Sequence, residues 1–458
     1  MFHYNKMTVK AIIFDLDGVL FDGVDLHFKS LNKALAALDS KYVILPENEH
    51  EFNGSPTRTK LQKLTEERGL PTEFHDIVWK QKQNYFLESI SSMTRDDQKI
   101  RVMTQLKNLG YKIVVASNSI RDTVKEVLTK KELTEYVDFY LSNEDVTSPK
   151  PHPDIYNMAV NKLAVLPREC IIVEDSFVGK TAANASGCHV FPVRNPDDVL
   201  LERIMNYITY INNGGDTKKI NVVIPMAGLG SRFANVGYKL PKPLIDVDGK
   251  PMIKVVVENI NLNAHYVFIA MKEHAEKYEL EKIIKEVTCD NYTIRTIDEL
   301  TEGSACTVLK VRDIIDNDNP MMLANSDQYL EWDPYEFLVN SCGVDGVISC
   351  FEADHPKWSY AKVDGSGNIV EVAEKKVISN LATTGLYYFG KGSQFVRCAD
   401  SMISKNIRTN NEFYNCPIYN EVILEGGVVK THMCPKMWGI GTPEDLEYYL
   451  LHFKNSGK

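Results

Sequence analysis

Two short stretches constrain the fold more than anything else in this chain. Each is an apolar, β-branched run that stops abruptly at a turn carrying polar or glycine chemistry: VKAIIFDLDG from Val9 to Gly18, and INVVIPMAGLGSR from Ile220 to Arg232. A run apolar at successive positions reads as a strand buried on both faces, as in a parallel sheet covered by helices. Each therefore looks like the start of a domain. The 458 residues allow it, since roughly 150 residues per domain gives two or three units. The best linker between the two starts is INNGGDTKK, Ile211 to Lys219, which is short, polar and Gly-paired with no apolar period.

Within the first part, strand-like runs recur at Lys10 to Phe14, Lys112 to Ala116, Val137 to Leu141 and Cys170 to Val173, with helical periods between them. That alternation predicts an α/β domain. From about Phe21 to Ser92 no such run occurs, and HFKSLNKALAAL and TRTKLQKLTEERGL carry apolar residues at 3 and 4 spacing, so a helical insertion is expected. The second part repeats the alternation at Val222 to Met226, Tyr266 to Ala270, Met321 to Ala324 and Gly346 to Phe351, followed by a Gly-, Tyr- and Asn-rich tail. The expected organisation is 1–210 as one domain with an insertion over about 21–95, 211–219 as linker and 220–458 as a second domain.

Charge and cysteine usage narrow the partners. With 52 Lys and Arg against 62 Asp and Glu, the net charge of −10 disfavours nucleic acid and anionic membrane as partners. Small anionic substrates need only a local basic cluster. None of the nine cysteines precedes Cys170 and no C-x-x-C pair occurs, which is neither a disulfide framework nor a zinc motif. The start, MFHYNKMTVKAIIF, makes no signal peptide, and no 18-residue apolar stretch follows, so a reducing cytoplasm is expected.

Asp15 and Asp17 sit one residue apart at the end of the first strand, with Gly18 next. A lone D-x-D is more often an Asx-turn. Here three polar clusters follow later strands: Ser117 after KIVVA, Lys150 in SPKPHPD, and Glu174-Asp175-Ser176 after CIIV. Beyond the carboxyl ends of a parallel sheet these would meet in one crevice, as a nucleophile, an acid/base and cation ligands. The motifs DLDGVLFD, ASNS, SPKPHPDIY and VEDSFVGKTAANASG resemble, in order, those of the haloacid dehalogenase superfamily of phosphohydrolases, closest to members with a helical cap such as β-phosphoglucomutase. The resemblance implies a Rossmann-like parallel sheet and an Asp15 nucleophile forming an aspartyl-phosphate, with Asp17 as acid/base. It further implies Mg²⁺ held by Asp15, Asp175 and the backbone carbonyl of Asp17, and a clamp completed by Ser117 and Lys150. Glu174 would be a metal ligand or stand behind one. In the cap, His27 would lie near substrate or simply face solvent, and Arg58 would reach a second phosphate or lie on the surface.

In the second part, Gly228-Leu229-Gly230-Ser231-Arg232 follows a strand, and Pro241-Lys242-Pro243-Leu244 comes soon after. Glycines let backbone N–H groups approach a phosphate chain while Arg232 and Lys242 supply charge. A dinucleotide fingerprint is excluded by the missing third glycine and by Pro241 and Pro243, which break any long helix after the turn. The combination, with TEGSACTVL, LANSDQY, AEKK and TTGLYYF, resembles the nucleotide-sugar pyrophosphorylases and their cytidylyltransferase relatives. By resemblance the second domain is α/β with a mixed sheet. Gly228, Gly230 and Ser231 would contact the nucleotide phosphates, Gly303 and Ala305 the base, Asp327 would bind Mg²⁺, and Lys375 would hold an acceptor phosphate. One departure stands out: in MWGIGTPEDL, Gly439 occupies the place of the family's second metal-binding aspartate. Either Asp327 and the nucleotide suffice, or Glu412 substitutes, or transfer is lost.

The expectation is a bifunctional cytoplasmic enzyme. One part is a Mg²⁺-dependent phosphatase or phosphomutase on a small metabolite. The other joins a nucleoside triphosphate, CTP first, to a sugar phosphate or similar phosphomonoester in surface-glycan precursor synthesis. The alternative keeps the phosphatase and makes the second part a nucleotide sensor.

Overall fold

The computed structural model describes residues 8–46, 48, 52, 54–228 and 230–453. The first residues of the leader reading and Leu229 of the glycine turn lie outside them. Contacts divide the chain between Gly214 and Gly215 into two compact units, each α/β. Helix α8 (Leu201–Asn212) runs into the expected linker, burying Ile211, and a short turn at Thr217–Lys219 precedes the second unit's first strand.

The first unit is a five-stranded sheet in the order β3-β2-β1-β4-β5, every pairing parallel. The strands are β1 (Ala11–Phe14), β2 (Lys112–Ala116), β3 (Phe139–Leu141), β4 (Cys170–Glu174) and β5 (His189–Pro192). Chain order reverses on either side of β1, so the crevice beyond β1 and β4 is where such a sheet takes its ligand. The first helices are α1 (Val24–Leu38), α2 (Thr57–Arg68) and α3 (His75–Ser89), which form a cap. They enclose their own core of Leu31, Leu35, Phe52, Leu61, Leu64 and Val78. Covering the sheet are α4 (Asp97–Asn108), α5 (Arg121–Lys130), α6 (Asp154–Leu163) and α7 (Phe177–Ala185).

The second unit holds a mixed nine-stranded sheet with main path β10-β9-β6-β11-β16-β13-β17. Its strands are β6 (Asn221–Pro225), β9 (His265–Met271), β10 (Tyr292–Ile297), β11 (Met321–Ala324), β13 (Gly346–Glu352), β16 (Leu381–Phe389) and β17 (Val429–Met433). The hairpin of β14 (Tyr360–Val363) and β15 (Ile369–Ala373) joins β16. Two small ribbons stand apart, β7 (Asp246–Val247) with β8 (Lys250–Pro251) and β12 (Gln328–Glu331) with β18 (Lys436–Gly439). The Gly-, Tyr- and Asn-rich tail carries β14 to β18. Its centre, β16, is buried along nearly all its length, with Thr383 and Tyr387 sharing a hydroxyl hydrogen bond of 2.9 Å.

β16 bends at Gly385, where φ is +89° and the register against β13 shifts between Ile348 and Cys350. A Cβ on Gly385 would lie 2.0 Å from Asn325 Nδ2 and 2.8 Å from Gln328 Oε1. The bulge is thus what lets Asn325 and Gln328 flank Asp327. Gly385→Ala should cost about 2 kcal/mol or more, from the left-handed backbone and the clash together. A thermal melt of the full chain with unchanged midpoint would contradict this.

Candidate active sites

Asp15 leaves the end of β1 with its N–H bonded to Val173 O of β4 at 3.0 Å. Its Oδ1 accepts from Lys150 Nζ at 2.7 Å, and the same ammonium donates to Glu174 Oε1 at 2.8 Å. All three are nearly sealed from solvent, at 6%, 3% and 0% exposure. Both Glu174 oxygens are engaged: Tyr156 donates its hydroxyl to Oε1 at 3.1 Å, while Ser176 gives its N–H at 3.0 Å and its hydroxyl at 3.2 Å to Oε2. Gly179 is required here, since a Cβ would fall 1.7 Å from Glu174 Oε1.

Asp175 completes the group. One oxygen from each of Asp15, Glu174 and Asp175 lies within 4.8 Å of the others, the one such cluster among the described residues. Asp175 Oδ1 is buried with no hydrogen-bond partner, and Gly18, at φ +79°, leaves the space that Asp175 Oδ2 fills. Burial pushes the Asp15 carboxyl up to about 8, the charges of Glu174 and Asp17 adding to it and Lys150 opposing. Burial, with the charges of Glu174 and Asp15 adding to it and Lys180 and Lys150 opposing, raises Asp175 well above the carboxylate range. Two buried carboxylates and a half-buried third around one buried ammonium are under-neutralised, and an all-oxygen set with an orphaned oxygen fits a hard divalent cation.

Asp17 turns the other way. Its Oδ1 accepts from His27 Nε2 at 2.8 Å and its Oδ2 from the Ser119 hydroxyl at 2.9 Å, with Ser117 Oγ at 3.4 Å. Lys82 Nζ lies 2.8 Å from His27 Nδ1, and an ammonium can only donate. With Lys82 charged, His27 therefore carries its proton on Nε2 and donates it in a hydrogen bond to Asp17 Oδ1. The ring stacks on Phe86 at 3.9 Å, so His27 is a member of this site and not an exposed helix face. Burial alone would raise Asp17, but His27 and Ser119 outweigh it and hold the carboxyl at about 2. Burial, with the Lys82 charge, lowers His27 to about 4; burial, with Lys60, lowers Lys82 to about 7.

Arg58 is not brought to this cluster. It is exposed on the first turn of α2, paired with Asp76 at 3.1 Å and 5.4 Å from the Trp79 ring centre, so the cap surface accounts for it. Ser117 is placed beside Asp17, accepting the Ser119 N–H at 2.9 Å. Lys82, Ser119, Tyr156 and Asn118 were not anticipated as site residues. Lys82 had a signal: with Val78 and Phe86 it forms a buried stripe at four-residue spacing, where a lysine has no bland reason to be.

In the second unit β6 delivers the glycine turn. Gly230 has φ +61°, and a Cβ there would press on Lys242 Cβ at 3.0 Å; Ser231 and Arg232 follow, exposed. Lys242, held between Pro241 and Pro243, donates to Asp327 Oδ2 at 2.7 Å. Gly441 makes room for that carboxylate, since its Cβ would fall 2.3 Å from Oδ2. Gly439 pairs with Gln328, and the space its side chain would enter faces Asp445 Oδ2, 3.4 Å away. Glu412 is exposed in a turn with Thr409, and no described contact links it to Asp327.

A second group forms around Phe413. Ala305 N–H donates to Phe413 O at 3.0 Å and Phe413 N–H to Glu302 O at 2.9 Å. A Cβ on Gly303 would strike the Phe413 backbone at 2.4 Å, and Ala305 is fully buried in the core. The small residues expected to admit a base are thus demanded by this backbone pairing. Next along the loop, Tyr414 meets Lys375, whose Nζ sits 4.4 Å over its ring and donates to its hydroxyl.

Comparison with known proteins agrees with both geometries. Residues 12–193 match the family model for haloacid dehalogenase-like hydrolases, and residues 221–446 match the nucleotidyl transferase model. The phosphorylated carbohydrates phosphatase of Thermotoga maritima is 26% identical over 211 residues, 45% of this chain and 88% of that protein. The β-phosphoglucomutase of Bacillus subtilis is 27% identical over 187 residues, 39% of this chain and 80% of its own length. The bifunctional protein GlmU of Methanococcus aeolicus is 29% identical over 174 residues, 37% of this chain and 40% of that protein. The chain is an enzyme of two families: it belongs to the haloacid dehalogenase-like hydrolases through its first unit and to the nucleotidyl transferases through its second. No helix among the described residues is long and apolar enough to cross a membrane.

Lys82 gives a pH test. Between about 7, its folded value, and ~10.4, the ordinary lysine value, the unfolded chain holds a proton that the folded chain has lost. Folding stability from this group therefore rises with pH across that window. Lys82→Met should be more stable than wild type at pH 7, with the gap closing towards about pH 9.5 in thermal melts; a pH-independent gap would count against the depressed value.

Proposed function

We propose that the first unit is a phosphatase or phosphomutase acting on a small phosphorylated metabolite. The observation that carries the reading is the Lys150 bridge from Asp15 Oδ1 to Glu174 beside the orphaned Asp175 oxygen. With Oδ1 tied to Lys150, Asp15 Oδ2 is the attacking oxygen. It forms a bond to phosphorus as the bond to the leaving oxygen breaks, giving an aspartyl-phosphate. Asp17, oriented by His27 and Ser119, gives a proton to the leaving oxygen once the substrate's negative charge has raised its pKa, and later takes one from water or an acceptor hydroxyl. Asp15, Asp175 and the carbonyl of Asp17 would hold Mg²⁺, which neutralises phosphate charge when bound. Glu174 acts through Lys150. The similarity to a carbohydrate phosphatase and to a phosphomutase supports a phosphorylated sugar or polyol as substrate.

The second unit joins a nucleoside triphosphate to a phosphomonoester. An acceptor phosphate oxygen attacks the α-phosphorus and pyrophosphate leaves, so the protein's task is positioning and charge neutralisation. Lys242 and Arg232 would face the triphosphate, Asp327 would hold a Mg²⁺ that supplies charge neutralisation there, and Lys375 would take the acceptor phosphate. The intact Lys242–Asp327 pair at the glycine turn favours transfer over mere sensing. CTP and a sugar or polyol phosphate of surface-glycan precursor synthesis, in the cytoplasm, are the substrates we favour.

The test uses the full chain with CTP, UTP, dTTP, GTP and ATP against a panel of phosphomonoesters, following pyrophosphate and inorganic phosphate separately. Asp327→Asn should cut pyrophosphate release by about 100-fold or more while leaving phosphate release intact, and Asp15→Asn should do the reverse. Stabilisation by a nucleotide with no pyrophosphate from any pair would establish the sensor instead.

A further inference from the structure

The residue between the two serines that face Asp17 has a different set of contacts. Asn118 Oδ1 accepts from Lys150 N at 3.0 Å, and its Nδ2 donates to Lys150 O at 3.2 Å and to Gly54 O at 2.8 Å. An amide has two N–H donors and one oxygen, and here all are in use. Two of the bonds fix both backbone groups of the lysine whose ammonium holds Asp15. The third reaches into the cap, because Gly54 lies just before α2. Asn118 is itself held from behind, its carbonyl accepting from Asn143 Nδ2 at 2.8 Å.

A second contact makes the same connection independently. Gly54, at φ +73°, packs so closely on the core that a Cβ would lie 3.1 Å from Ser176 Oγ and 3.1 Å from Val178 Cβ. Ser176 is the residue that engages Glu174 Oε2. The seat of the cap at residue 54 therefore touches one supporter of Lys150 and one supporter of Glu174, the two groups whose bridge aims Asp15.

We infer that Asn118 is a positioning residue that ties seating of the cap to the placement of Lys150, so that the nucleophile is fully aimed only when the cap is down. When the cap lifts, Gly54 O leaves and one Nδ2 hydrogen turns to water. Lys150 then keeps two of its tethers but loses the constraint on their direction. An enzyme that forms a water-sensitive aspartyl-phosphate gains from such coupling, because the open and hydrated state is also the poorly aimed one. The inference rests on the phosphohydrolase reading of the first unit.

The experiment compares wild type, Asn118→Ala and Asn118→Asp as full chains. Aspartate keeps an acceptor for Lys150 N but sets a carboxylate against two carbonyls, so it should fail like alanine. Both variants should lose about 10-fold or more in kcat for phosphomonoester hydrolysis, measured well below any lowered Tm that the unpaired backbone groups of Lys150 and Gly54 bring. With Mg²⁺ and beryllofluoride bound, amide exchange over residues 54–58 should quicken about 10-fold, with β1 and β4 unchanged. A merely structural asparagine would lower Tm and leave both readouts in place. If kcat and exchange in either variant stay within twofold of wild type, the coupling is wrong. If wild type hydrolyses no phosphomonoester, the functional reading fails while exchange still decides whether Asn118 latches the cap.

Discussion

One buried ammonium, that of Lys150, between two sealed carboxylates and beside a half-buried third organises the first unit. Lys150, Asp15, Glu174 and Asp175 come from three separate loops, at the ends of β1 and β4 and from the segment before α6. Burying so much like charge is expensive unless every oxygen is engaged. Glu174 is saturated by Tyr156, Lys150 and Ser176, and two glycines, Gly18 and Gly179, are missing a Cβ so that the carboxylates can lie where they do. What remains unmet is the single Asp175 oxygen. The parallel sheet, with its reversal beside β1, is the arrangement that brings these loops to one place.

The second unit uses a looser version of the same device. Lys242 and Asp327 are about three-quarters buried as side chains, at 21% and 27% exposure, and Arg232 and Lys375 stand in solvent. Their charges are available to a large anionic ligand that would itself exclude water. The contrast fits the chemistry proposed for each: a small sealed site for a covalent intermediate, and an open one that clamps a triphosphate against an acceptor.

The α/β class and the first strands of both units were legible because strands buried on both faces write themselves as unbroken apolar runs. Asp15, Asp17 and Asp175 were legible because they follow those runs closely, and Lys150 because of its place in the SPKPHPD motif. β5 and β10 were not seen: β5 is only four residues long, and β10 mixes polar and apolar residues without alternation. β16 was not seen either: threonines and a glycine interrupt its apolar run, and its motif TTGLYYF carries no assigned element in the sequence. Lys82 and Asn118 are fixed by partners 55 and 32 residues away, and no local pattern announces a side chain whose role comes from such distance. Arg58 shows the reverse: its local context left a phosphate contact and a surface place both open, and it lies on the surface with Asp76 and Trp79.

The pairing of Gly303 and Ala305 with the Phe413 backbone has an evolutionary consequence. The segment from Thr301 to Thr307 and the loop that carries Tyr414 against Lys375 are stitched together by main-chain hydrogen bonds between Glu302, Ala305 and Phe413. On the roles proposed above, with the first loop at the base and Lys375 at the acceptor phosphate, a lineage that reshaped the first loop would shift the acceptor side in the same step. Recombining one loop from a relative without the other would break the seam at Gly303, so the two preferences should be inherited together.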